Sequence, residues 1–182
     1  SPKKDEIYSL CFRDSLNGLA ITLYDEYSIY FQTTDGGYNW YRKYESLRQS
    51  GVGLHYVGED IWLMGAKFAI YRSTDNVVSW SEVGFPRGNA ESFSFFKGSF
   101  GMSVPGYRIF QGYDRLQRTY DSGKTWEIAD YGIRHEMGAI SVVSPTVAYC
   151  AGVTCRDGYV EGCRGIIYKT IDGGGPANNP TD

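Results

Sequence analysis

The sequence lacks any apolar run of membrane-spanning length, so no membrane span is expected. It lacks a basic excess too. The 18 Lys and Arg stand against 21 Asp and Glu for a net charge of −3, with both signs scattered, so no face for nucleic acid is advertised. Histidine is scarce: His55 and His135 are single residues in unrelated settings, read as solvated or satisfied loop or strand residues. No stretch has helical period. Proline is sparse, six residues against sixteen tyrosines, and only 21% of residues are charged, which suits an ordered, Tyr-rich β protein rather than a disordered one. No signal peptide opens the chain. The polar start, Ser1 to Glu6, suits a mature secreted protein or lipoprotein that has lost its leader, and a trimmed cytosolic chain equally. A secreted, periplasmic or cell-envelope location is the expectation.

What the 182 residues do contain is one stretch used four times. Thr33-Thr34-Asp35-Gly36-Gly37-Tyr38-Asn39-Trp40 returns as Ser73-Thr74-Asp75-Asn76-Val77-Val78-Ser79-Trp80, then as Thr119-Tyr120-Asp121-Ser122-Gly123-Lys124-Thr125-Trp126. It returns a last time, without its Trp, as Thr170-Ile171-Asp172-Gly173-Gly174-Gly175-Pro176-Ala177. An Asp before Gly-rich turn residues accepts hydrogen bonds from the turn's backbone N–H groups, and Gly supplies positive φ at no steric cost. The Ser or Thr two residues earlier can offer its hydroxyl to the same turn, and the Trp brings an apolar ring to cover it. Asp35, Trp40, Asp75, Trp80, Asp121, Trp126 and Asp172 are thus expected to be structural, with each Trp buried at its corner. A calcium site would need several carboxylates at close spacing, which no copy offers.

Alignment on the aspartates gives columns. Five residues before Asp stand Tyr30, Ile70, Leu116 and Ile167; three before stand Gln32, Arg72, Arg118 and Lys169. Apolar and polar positions alternate, the period of a strand with different surroundings on its two faces. The aspartates are separated by 40, 46 and 51 residues, which implies a solenoid or propeller with growing insertions. Each unit reads as short strand-like runs joined by turns: Ile7 to Phe12, Gly18 to Tyr24, Ser28 to Thr34 and Trp40 to Tyr44 in the first. The expected fold is all-β, a β-propeller of about four four-stranded antiparallel blades covering about 7–45, 52–86, 90–130 and 138–174, followed by a tail over 175–182. The last blade is expected to be incomplete, because no fourth strand can be read in its Gly- and Pro-rich end. The propeller should therefore be partial or open with an exposed edge, either as a fragment of a longer chain or closed by another chain or copy.

Four cysteines, Cys11, Cys150, Cys155 and Cys163, allow three full pairings, and the sequence does not choose among them. Cys155 and Cys163 bracket a Gly-containing loop between two strand-like runs, so a disulfide stapling that loop is the pairing expected. Cys11 and Cys150 sit within strand-like runs, where a thiol acts as a small buried hydrophobe. The spacings are not the short paired ones of zinc sites, and neither a metal nor a cofactor is expected.

Gln32 to Trp40 and Arg118 to Trp126 resemble the Asp-box, or bacterial neuraminidase repeat, and the resemblance spans about Ile7 to Gly174. The Gly-Leu-Ala and Thr-Thr-Asp-Gly-Gly rhythm of the first unit is most similar to photosystem II assembly-factor-like propellers. Sialidases, xyloglucan-cleaving glycosidases and sortilin-type receptors carry the box as well, so the resemblance implies fold more sharply than function. Val77, where Gly is expected, and the truncated fourth box depart from the pattern. A sialidase-like site would need an arginine cluster, a Tyr activated by Glu and an acid/base carboxyl. Tyr107-Arg108-Ile109-Phe110 matches the sialidase Arg-Ile-Pro element poorly, without its Pro and in the third unit. No catalytic residue is assigned. The expected function is a non-catalytic module for protein or glycan recognition or assembly scaffolding; the alternative is part of an Asp-box glycoside hydrolase with incomplete catalytic residues.

A candidate recognition surface follows from the meander. Successive turns alternate between the two ends of a blade, so the aspartate turns lie at one end and the connections from second to third strand at the other. That connection is short in the first two units, Asp25-Glu26-Tyr27 and Ala66-Lys67, but runs over Pro105 to Arg115 in the third and Thr154 to Arg164 in the fourth. The added residues include Tyr107, Arg108, Phe110, Tyr113, Arg115, Arg156, Tyr159 and Glu161, a mixture of apolar area and directional donors suited to a binding patch. Equally, such loops can merely cap an exposed end.

Overall fold

The computed structural model describes residues 6–24, 27–45, 51–59, 61–66, 69–84, 90–105, 116–129, 136–154 and 163–175. They form fifteen strands and, among the described residues, no helix long and apolar enough to cross a membrane. The first sheet contains β1 (Glu6–Phe12), β2 (Gly18–Tyr24), β3 (Tyr27–Thr33) and β4 (Tyr41–Glu45). The second contains β5 (Gly51–Gly58), β6 (Ile61–Ala66), β7 (Ala69–Ser73) and β8 (Ser81–Gly84). The third contains β9 (Ala90–Phe96), β10 (Phe100–Pro105), β11 (Gln117–Thr119) and β12 (Glu127–Ile128). The fourth has β13 (Glu136–Val142), β14 (Ala148–Thr154) and β15 (Arg164–Thr170). Each sheet is an antiparallel meander in chain order, so every strand pairs with its sequence neighbour. Among the described residues β15 has no strand on its outer side, which leaves the last blade one strand short.

The sheets stack face to face as blades. Contacts run from β1 and β2 to β5, from β5 and β6 to β9, and from β9 and β10 to β13; among the described residues no comparable contact joins the first sheet to the fourth, so the arc they form is open.

Strand alternation explains the stacking. In the first blade Leu19, Ile21 and Tyr30 share the face that meets Trp62, Met64, Ala66 and Tyr71 of the second. Leu63 and Ile70, on the other face of that blade, meet Ala90 and Phe93 of the third. Met102, Val104 and Leu116 then meet Met137, Ala148 and Cys150 of the fourth. Each inner sheet buries both faces, so its middle strand reads as a nearly continuous apolar run. β6 is the clearest case, with Trp62 to Ala66 all buried. Gly65 is required there because a Cβ would overlap the carbonyl of Ala90 in the next blade.

Candidate functional site

The four aspartate turns share one construction. Thr33 donates its hydroxyl to Asp35 Oδ1 (2.8 Å) and its Oγ1 accepts the Gly37 N–H (2.9 Å). Asp35 Oδ1 also accepts the Asn39 N–H (2.9 Å), and Oδ2 accepts the Asn39 side-chain amide (2.7 Å). Ser73, Asp75 and Ser79 repeat these contacts, as do Thr119, Asp121 and Thr125. In the truncated copy Thr170 still donates to Asp172 (2.6 Å), but the Gly175 N–H (3.1 Å) takes the place of the missing pair.

The two residues after each Asp are left-handed: Gly36 and Gly37, Asn76 and Val77, Ser122 and Gly123, Gly173 and Gly174. Val77 at φ 72° is the costly one, since a β-branched side chain rarely adopts that conformation. Its side chain is buried in the core between the first two blades, which offsets the strain.

These bonds hold the carboxylates ionised. The Asn39 backbone and side chain lower Asp35 to about 2, and the Ser79 side chain and backbone lower Asp75 to about 2. At Asp121 burial pushes upward, but bonds from Thr125 and Thr119 outweigh it and the carboxyl ends below its ordinary value. Such groups carry no proton at neutral pH and cannot serve as general acids.

Three findings were not read from sequence. The small polar residue four places after Asp has a role as donor to the second carboxylate oxygen. Trp40, Trp80 and Trp126 are half-buried rather than buried. Trp40 meets Phe12 edge-on, Trp80 stacks on Tyr30 of the preceding blade, and Trp126 packs on Phe93. Trp62, the second residue of β6, is the fully buried one. Finally, two members of the polar column three before Asp link blades: Arg72 Nε donates to the Ser122 carbonyl (3.1 Å), and Arg118 Nη1 to the Gly173 carbonyl (2.9 Å). The column itself was visible, but its partners lie about fifty residues away in sequence.

The candidate recognition residues Tyr107, Arg108, Phe110, Tyr113, Arg115, Arg156, Tyr159 and Glu161 lie outside the described residues, as does Cys155. The strands that frame them are described. β10 to β11 and β14 to β15 are second-to-third connections of neighbouring blades, opposite in the meander to the aspartate turns. Cys163 is disulfide-bonded, whereas Cys11 and Cys150 remain thiols. His55 is stacked on Phe95 between the second and third blades, and burial lowers its pKa to about 4. No group of three or more His, Cys, Asp or Glu residues able to hold a metal occurs among the described residues.

Neither a protein family nor a curated protein matches the sequence. Solved structures do. A YCF48 structure bound to a D1 peptide is 17% identical over 87% of this chain and 53% of its own, with a TM-score of 0.61. YCF48 from Cyanidioschyzon merolae is 13% identical over 91% of this chain and 57% of its own, with a TM-score of 0.60. The GH74 xyloglucanase from Xanthomonas campestris is 16% identical over 87% of this chain but 27% of its own, with a TM-score of 0.64. The chain thus spans little more than half of the YCF48 structures and about a quarter of the enzyme. At these identities the likeness establishes the fold, an all-β propeller arc similar to YCF48 and GH74 propellers with its last blade incomplete.

Proposed function

We propose that this chain is a non-catalytic propeller module that recognises a segment of another protein through the end opposite the aspartate turns. The observation that carries this reading is the division of labour between the two ends. The turn carboxylates are consumed by their own turns, while the long connections of the third and fourth blades leave from neighbouring sheets at the other end. Loops held side by side on a rigid base are where recognition residues accumulate. Tyr107, Arg108, Tyr113 and Tyr159 supply the aromatic and cationic groups that such a surface needs. A propeller of similar fold, YCF48, has been solved with a peptide bound, which supports a peptide-like ligand.

A glycoside hydrolase reading is the second, favoured by the fold likeness to the GH74 xyloglucanase. The two readings separate on three measurements: binding to a peptide array, binding to a glycan array, and turnover of xyloglucan and aryl glycosides. Peptide binding without turnover is expected. In the quadruple variant with Tyr107, Arg108, Tyr113 and Tyr159 replaced by Ala, the fold should persist and the peptide signal fall. Undiminished binding by that variant rejects the patch, glycan binding alone rejects the protein ligand, and robust glycoside turnover rejects the non-catalytic reading.

A further inference from the structure

The connection from second to third strand is held in two ways. In the first two blades the ladder itself fixes it: Tyr24 pairs with Tyr27 and Ala66 with Ala69, so only two residues separate the last rungs. In the fourth blade β14 and β15 stay in register over seven rungs, and the last, Thr154 with Arg164, leaves nine residues between. That stretch begins with Cys155, ends with Cys163 and holds Arg156, Tyr159 and Glu161 between them. It also contains Gly158 and Gly162, and glycine loses the most conformational freedom when a backbone is ordered.

Cys163 is disulfide-bonded and exposed. Cys11 and Cys150 are thiols, the first packed against the core between the first two blades and the second buried in the core between the last two. With four cysteines in the chain, the partner that remains for Cys163 is Cys155. Register agrees. One step beyond the rung of Thr154 and Arg164 sets Cys155 opposite Cys163. Residues opposite one another in an antiparallel pair stand about 4.5–5.5 Å apart at Cα, inside the range of about 4.4–6.8 Å that a disulfide spans. The ladder already holds the feet of this connection, so the bond acts on the residues above it rather than on the sheet.

We propose that the Cys155–Cys163 disulfide is a redox switch on ligand recognition. Intact, it holds Arg156, Tyr159 and Glu161 ready to bind; reduced by a dithiol, it releases them and weakens binding while the blade stays folded. The switch rests on the reading that the end opposite the aspartate turns is the recognition surface. In the reaction a thiolate of the dithiol attacks the Cys163 sulfur, the S–S bond breaks and Cys155 leaves as a thiolate. The second thiol of the reductant then resolves the mixed disulfide and frees Cys163. The protein takes up two electrons and two protons, and the dithiol ends as a disulfide. Cys163 is open to solvent, which is the access that such exchange requires. Residues already fixed in their bound arrangement carry no ordering cost at binding, so the intact form binds more tightly. In an oxidising compartment the bond persists, and a dithiol that reaches it there sets the binding state.

The test compares the oxidised parent, the parent reduced with dithiothreitol, and the double variant Cys155→Ser, Cys163→Ser. Mass spectrometry of a non-reducing tryptic digest of the parent should show Cys155 joined to Cys163; any other pairing overturns the proposal. Peptides that bind the oxidised parent on an array are then titrated against all three forms, well below their melting temperatures. Affinity should fall about tenfold in the reduced parent and in the double variant, the loss expected when one or two side chains must be ordered at binding. Oxidised glutathione should restore it in the parent and leave the variant unchanged. Circular dichroism should be the same in all three. Equal affinity in the three forms overturns the switch and leaves the recognition reading standing, whereas an oxidised parent that binds no array peptide rejects that reading and the switch with it. Weakened binding accompanied by loss of the β signal also overturns it, because the bond would then hold the blade itself.

Discussion

At the residue scale the aspartates are the most demanding positions, because each organises a turn through both carboxylate oxygens. Asp121→Ala strips the acceptor from Thr119, from the Thr125 N–H and from the Thr125 hydroxyl. A loss of about 1–3 kcal/mol is expected in chemical denaturation, since the partners are near the surface and water replaces part of what is lost. Acid should reveal the same bonds. Asp35 and Asp75 are lowered from 3.8 to about 2, so their contribution is fully present above about pH 4 and is lost as pH falls towards 2. His55 acts in a separate window. Its pKa is depressed from 6.5 to about 4, so the unfolded chain takes up a proton first and stability falls as pH drops from 6.5 to 4. Denaturation midpoints measured against pH should show both slopes, and His55→Phe should remove the upper one alone; a slope between pH 6.5 and 4 that survives in His55→Phe would discard this assignment.

At the element scale one column serves two fates. Ile70 is sealed between the second and third blades, whereas Ile167 at the same place in its strand faces outward. Ile70→Ala should cost about 2–5 kcal/mol as a core truncation, and Ile167→Ala less than about 0.5 kcal/mol in the monomer. Equal losses at the two positions would mean that the fourth blade is covered within a single chain. The strands of the first blade were legible in the sequence to within a residue, because alternation and the Asp-Gly turn mark their ends. Gly18 to Tyr24 was read as it stands, while the run read over Ser28 to Thr34 is a strand over Tyr27–Thr33. Which face of a blade meets which neighbour was not legible, since period-two alternation says only that two faces differ. The half-buried state of Trp40, Trp80 and Trp126 escaped for a related reason: Trp80 depends on Tyr30 in another blade, and local pattern does not report that contact.

At the scale of the whole molecule the repeat arranges the described residues as an arc of four blades, the last one strand short. The repeat period and the columns made the architecture readable, because every blade states the same pattern and the copies check one another. The recognition surface was readable only as a departure from the repeat, in the lengths spent between β10 and β11 and between β14 and β15. Departures show where the scaffold's needs stop without stating what the extra residues hold, so Tyr107, Arg108, Tyr113 and Tyr159 rest on chemistry rather than on geometry. The separation of scaffold from recognition is tested most directly by measuring melting temperature and peptide-array binding together in Asp121→Ala and in the quadruple Ala variant of those four residues. The expected result is a lowered melting temperature with binding intact at a temperature where Asp121→Ala is folded, and the reverse for the loop variant. Loss of binding in Asp121→Ala at an unchanged melting temperature would contradict it, because the aspartate turn would then be the site itself.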